Sequence, residues 1–178
     1  KTLKPYLLKN GVRRLDGAFV THLHTDHYKG VVELCREGMV KKLFLYEGNR
    51  DKTGQICQET GMSAEDLVFL RAGQTVSLDD AGFAKSVMND AGYMSERVEV
   101  LWPEAGRDAG TVLQKRRQGF GTDNGSSAGE KKGQGSEEED ENETSLILKI
   151  HAGGLSLLAT GDIDAACEDR LAAKYRNG

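Results

Sequence analysis

Apolar and polar positions alternate along the first third of the chain in a regular rhythm. "TLKPYLLKNG" places Leu3, Tyr6 and Leu7 on one helical face, with Pro5 in a permissible first turn and Asn10-Gly11 as a stop signal, so a short helix is predicted. "LDGAFVTH" reads as a buried strand, and "YKGVVELCREGMV" as a helix with Val31, Leu34 and Cys35 or Gly38 on one side. "VKKLFLYEG" gives a second strand, and "NRDKTGQICQETGM" a helix with a capping-type start and a stop at Gly61. Strand, helix, strand, helix is an α/β rhythm, in which loops that follow strands carry function.

Past Ser63 the pattern shortens to β segments, "LVFLRAG", "TVSL" and "RVEVLWPE", which read as the start of a β-rich half. From Arg107 to Thr144 apolar periodicity is lost, and an acidic block runs from Glu137 to Glu141 with Glu143 beyond it. So polar a stretch buries too little surface to offset its ordering entropy, and residues 107–144 are expected to be a low-complexity surface insertion. Structure resumes with "TSLILKIHAGGLSLLATGDID", two strands turning at Ala152-Gly153-Gly154. "DAACEDRLAAKYRNG" closes as a helix that Asp164 is placed to cap.

Length and composition narrow this picture. At 178 residues, with 38% apolar residues, residues 1–178 are expected to form one domain. A formal charge of -4 provides no basic footprint for holding a polyanion, so another group must attract such a substrate. No apolar run approaches the ~18 residues of a membrane span, and no signal peptide opens the chain, so it reads as soluble. Cys35, Cys57 and Cys167 are far apart and never form a C-x-x-C pair; they are expected to be reduced thiols packing as small apolar groups.

Chemistry concentrates in "VTHLHTDHYKG", where His22, His24, Asp26 and His27 occupy six positions directly after a buried strand. An isolated histidine there is most simply a loop or core residue. Four metal-competent side chains in six residues point instead to divalent cations. His22 and His24, two apart, project to one side if the chain stays extended and can share an ion at about 2.0–2.1 Å. Asp26 and His27, after a turn, face a second point nearby. Two cations about 3.5–4 Å apart hold a hydroxide at neutral pH and stabilise the attacking and leaving oxygens of a displacement. Far along the chain, "LSLLATGD" ends a strand at Thr160-Gly161-Asp162, where a carboxylate can approach that site. His151, beside the Gly153-Gly154 turn, is expected at the surface.

"THLHTDH" matches the H-x-H-x-D-H signature of the metallo-β-lactamase superfamily, and "LLATGD" resembles the strand that carries its bridging aspartate. The flanks "LKPYLLKNGVRRLDGAFVTHLHTDHYKG", "VEVLWPE" and "ENETSLILKIHAGGLSLLATGDID" are similar to the C-terminal hydrolase domain of ComEC-type competence proteins, a DNA-uptake channel family. The likeness covers residues 1–105 and 141–172. It implies an α/β fold, the metallo-β-lactamase αββα sandwich with mixed sheets. It also implies a site for two divalent metal ions, in which His22 and His24 bind the first, Asp26 and His27 the second, and Asp162 both. Asp26 would also orient the attacking water. Zinc is the usual ion, and the mixed oxygen and nitrogen ligand set leaves manganese open.

The implied task is hydrolysis of the DNA strand that is not imported, without a nucleotide cofactor, by a domain attached to a larger protein of the bacterial cell membrane on its extracytoplasmic side. The same fold serves small ester, thioester or lactam substrates, and a third reading is a non-catalytic metal-binding module of a membrane channel.

The chain departs from the family pattern at three places. Glu141-Asn142-Glu143-Thr144 stands where a further first-metal histidine is usual. The final histidine of a "HHG" segment would lie beyond Gly178, and the opening β-hairpin would lie before Lys1. The sequence therefore reads as an excerpt of a longer polypeptide, incomplete at both termini, which can be folded yet catalytically incomplete.

Overall fold

A computed structural model of the chain describes residues 3–78, 87–88, 96–103 and 144–176. The insertion expected at 107–144 lies outside them apart from Thr144, as do 141–143, where the departure from the family's histidine falls.

Helix α1 (Leu3–Lys9) leads into strand β1 (Leu15–Phe19), helix α2 (Thr25–Arg36) and strand β2 (Val40–Tyr46). A 3-10 turn over Glu47–Lys52 precedes helix α3 (Thr53–Thr60), and strand β3 (Leu67–Leu70) follows. These three strands form a parallel sheet in the order β1-β2-β3, with Phe19 opposite Phe44 and Phe44 opposite Val68. β2 is apolar on both faces because both are covered. Leu43 and Leu45 meet Tyr28, Val32 and Cys35 of α2 and Ile56 of α3, whereas Phe44 and Tyr46 point the other way. The rings of Phe19 and Phe44 stack at 4.4 Å.

That other side is a second sheet, antiparallel, in the order β5-β4-β6-β7-β8. Its strands are β4 (Thr75–Ser77), β5 (Val87–Met88), β6 (Arg97–Trp102), β7 (Ile147–Ala152) and β8 (Leu155–Ala159). Val76, Val98, Val100, Leu146 and Leu148 pack against Phe44, Tyr46 and Leu70 to make the core between the sheets. Burying side chains of this size contributes about 1.5–3 kcal/mol each. A bulge lets Val100 pair with Leu148 and Trp102 with Ile147, so Trp102 turns outward to meet Ile147 and Cys167. Cys167 belongs to helix α4 (Ala165–Tyr175), which covers the outer face of the second sheet. Helices, parallel sheet, antiparallel sheet and helix thus stack in the αββα order of the metallo-β-lactamase fold.

Several local expectations are met in detail. Gly153 and Gly154 both have positive φ, 58° and 79°, the geometry of a tight two-residue hairpin loop between β7 and β8. Gly61 ends α3 in the left-handed conformation. The Asp164 carboxylate accepts a 2.7 Å hydrogen bond from the Cys167 amide and caps α4. The three cysteines are free thiols, and Cys35 and Cys167 are buried in apolar clusters.

Others are corrected. "LVFL" does not open a β-rich half; it pairs in parallel with β2, as the third strand of the first sheet. Helix α3 begins at Thr53, without the side-chain cap expected further upstream, because residues 47–52 wind as a 3-10 turn. On α1, Leu7 packs against the core while Tyr6 is 64% and Leu3 43% exposed, so the predicted face is only partly used. His151 is not a surface residue. Its side chain is 16% exposed, its Nδ1 lies 2.9 Å from Ser156 Oγ, and its Nε2 lies 3.3 Å from Glu99 Oε1. β7 is an interior strand, so a side chain on it has neighbours on both sides.

Candidate metal centre

The two sheets bring their loops together at one edge. β1 ends at Phe19, and the Val20 amide still donates to the Phe44 carbonyl at 2.9 Å, which carries the chain in extended form to the threshold of the histidine segment. From the second sheet, the Leu146 amide donates to the Thr21 carbonyl at 2.8 Å, tying the approach to β7 to the exit of β1. A third segment, Thr160-Gly161-Asp162, leaves β8 at the same edge.

His22 is 2% exposed. Its Nδ1 lies 3.1 Å from Thr21 Oγ1 and 3.1 Å from Ser145 Oγ, so two hydroxyls fix the ring. A ring nitrogen held in this way sets the tautomer and directs the other nitrogen as a metal ligand. His24 occupies the N-cap of α2, and its carbonyl accepts from the amides of His27 and Tyr28 at 3.1 and 2.9 Å. This turn brings His27 back toward His22: the ring centroids of His22 and His27 are 4.2 Å apart, and those of His22 and His24 are 4.5 Å apart, edge to face.

Asp162 completes the group. Its Oδ2 lies 3.0 Å from His27 Nε2, across 135 residues of sequence. Ligand atoms of His22, His27 and Asp162 all lie within 4.8 Å of one another. Asp26 is more peripheral, with its side chain 76% exposed and Oδ2 3.6 Å from His27 Nε2. The geometry therefore gathers all five of the residues singled out in the sequence into one neighbourhood, with His22, His27 and Asp162 as its tightest part. Their division between two ions follows from the family resemblance and not from these distances.

A zinc-type ion takes nitrogen and oxygen donors at about 2.0–2.2 Å, and three protein ligands with one open position is the pattern of catalytic rather than structural sites. Two imidazoles and a carboxylate with their ligand atoms this close together fit such a group. When bound, a divalent cation polarises an ester or phosphoryl oxygen and lowers the pKa of coordinated water.

Ser145 and Gly161, like Thr21, support the site without having been found by sequence reasoning. Ser145 is fully buried, and with Thr21 it holds the His22 ring; the only local signal is a polar residue opening an apolar strand. Gly161 has φ +60°, and a Cβ built on it would lie 3.1 Å from the Cβ atoms of both Ser145 and Thr21. The absence of a side chain lets the Asp162 turn settle directly on the two residues that hold His22.

Residues 1–48, which include the histidine segment, match the family model of the metallo-beta-lactamase superfamily. The chain is 24% identical over 182 residues to ComE operon protein 3 of Bacillus subtilis (strain 168), an alignment covering 99% of the chain and 17% of that protein. The chain thus corresponds to less than a fifth of the length of that relative. The match, the motif and the layered fold together support a metallo-β-lactamase superfamily domain resembling the ComEC type.

Proposed function

We propose, taking a metallo-β-lactamase superfamily domain with a metal-dependent hydrolase site as the premise, that these residues hydrolyse phosphodiester bonds of DNA as part of a competence DNA-uptake protein. One observation carries the hydrolase reading: the 3.0 Å approach of Asp162 to His27, with His22 in the same group, makes one site from segments 135 residues apart. The resemblance to ComEC-type proteins supports DNA as substrate, and a divalent cation supplies the attraction to phosphate that the net charge of -4 lacks.

In this reading His22 and His24 would hold one ion, Asp26 and His27 a second and Asp162 both, with zinc by family habit and manganese as the alternative. Asp26, exposed and beside His27, is placed to accept a proton from the attacking water. Thr21 and Ser145 keep the His22 ring oriented throughout. Among the described residues no helix is long and apolar enough to cross a membrane, so the proposed membrane attachment rests on the remainder of a larger protein.

The test is elemental analysis of the metal-loaded chain alongside His22→Ala and Asp162→Ala, with single-stranded DNA and a chromogenic lactam as substrates. Loss of metal in both variants, and cleavage of DNA by the parent alone, is the expected result. Lactam hydrolysis without DNA cleavage assigns a small-molecule substrate to the same site. Full metal content in both variants ends the hydrolase reading.

A further inference from the structure

A cleft of about 400 Å³ lies between α2 and α3, on the helix-covered side of the parallel sheet. It opens beside the metal-ligand loop, because Leu23 and Thr25, which flank His24 in sequence, line one end. Thr25, Lys29, Val32 and Arg36 follow at the spacing of a single helical face, so the wall runs from the ligand loop to the far end of α2, about 16 Å at 1.5 Å per residue.

Lys29, Arg36 and Lys52 line this cleft, with Glu59 as the one carboxylate. Glu59 Oε1 accepts from Gln55 Nε2 at 2.9 Å, and its carboxylate also acts on Tyr28 across the cleft, so it leaves the cleft's lining with three cations against one anion. Its backbone carbonyl accepts from Arg36 Nε at 2.6 Å, which fixes that guanidinium over the cleft. On this half of the molecule Lys4 pairs with Glu37, Lys41 with Asp16, and Lys42 with Asp66. Among the described residues, Lys29 has no such carboxylate partner. Between the cations Leu23, Val32 and Ile56 contribute apolar surface, interspersed with Thr25, Tyr28 and Gln55. Burial pushes the Tyr28 phenol up, so this neighbour stays neutral and adds no negative charge.

Cations beside apolar surface suit a ligand with regularly spaced negative charge and flat apolar faces. Single-stranded nucleic acid has that form, with phosphates on the ammonium groups and bases against the apolar side chains. We propose that the α2–α3 cleft is the subsite for the single-stranded DNA segment leading away from the scissile phosphate, with Lys29 and Lys52 as its phosphate contacts nearest the metal centre. This rests on the DNA-hydrolase reading above and adds to it the path of the strand, which the metal ligands do not specify.

The experiment is fluorescence anisotropy of a labelled phosphorothioate oligothymidylate, which resists cleavage, titrated with the zinc-loaded 178-residue chain over a range of salt concentrations. The parent is compared with the double variant Lys29→Gln/Lys52→Gln and with Lys174→Gln on α4 as a remote charge control. Lys29 is exposed and Lys52 half-buried, so their replacement by glutamine is expected to leave the fold intact, which circular dichroism checks. The double variant is expected to bind about tenfold more weakly, and its plot of log affinity against log salt to lose about 1.4 in slope, roughly 0.7 for each phosphate contact removed. The remote variant is expected to match the parent. If the parent binds and the double variant binds equally, with the same salt slope, the cleft proposal is overturned and the hydrolase reading stands. If the parent takes up metal through His22 and Asp162 but does not bind the oligonucleotide, DNA is the wrong substrate and the cleft proposal falls with it.

Discussion

Gly161 and Ser145 show how much of the metal centre depends on residues that never touch an ion. Gly161 sits at φ +60°, where a methyl group would press against Thr21 and Ser145 at 3.1 Å and force them to shift by a few tenths of an ångström. Gly161→Ala is expected to lose about 2 kcal/mol of stability in urea unfolding, from left-handed strain and displacement of the Asp162 turn. Metal affinity should fall with it. Ser145→Ala removes one of the two hydroxyls at His22 Nδ1 and is expected to weaken metal binding by about 10–100-fold in a chelator-competition titration. Unchanged affinity would mean that Thr21 alone orients the ring. These roles were invisible in the sequence for a physical reason. His22, His24, Asp26 and His27 announce themselves because ligands close in sequence form a pattern, whereas Ser145 gains its role from a contact across 123 residues. Asp162 lies between the two cases, since a Gly-Asp after a strand is ambiguous until a histidine segment elsewhere offers it a partner.

Among the elements, α4 is the one whose cap can be isolated by pH. The Cys167 amide hydrogen bond holds the Asp164 carboxyl below its usual value of 3.8. A lowered folded-state pKa means a stabilising contribution that is complete above the unfolded value and lost as pH falls through the folded one. Asp164→Asn keeps the capping hydrogen bond without the titration, so acid unfolding monitored by circular dichroism should show the parent losing ground to the asparagine variant below about pH 4. A pH-independent difference would exclude the carboxylate as the source. Asp164 was legible because capping is local. The Gly153-Gly154 hairpin was legible for the same reason. β3 was not: "LVFL" is short and apolar in either sheet, and its parallel pairing with β2 is decided by α3 and the 3-10 turn that carry the chain back. His151 was misplaced because a position near a turn says nothing of whether its strand is an edge or an interior one.

For the whole molecule, the α/β rhythm pointed to a layered fold and the family resemblance to its αββα order, while the way the sheets face each other depended on both faces of β2 being apolar and on the bulge that turns Trp102 outward. A metal held jointly by α2 of one sheet's half and the β8 turn of the other links ligand binding to global unfolding. Zinc at a hundred times its dissociation constant is expected to add about 2.7 kcal/mol, a rise in Tm of roughly 5–10 °C, in scanning calorimetry. His22→Ala and Asp162→Ala should abolish that rise, and its persistence in either would place the ion elsewhere. The 135-residue separation of His27 from Asp162 also bears on biosynthesis. At translation speeds of 5–20 residues per second, the imidazoles emerge from the ribosome on the order of ten seconds before their carboxylate partner. Until then the nascent polypeptide presents a cluster of donors that any passing transition metal can occupy.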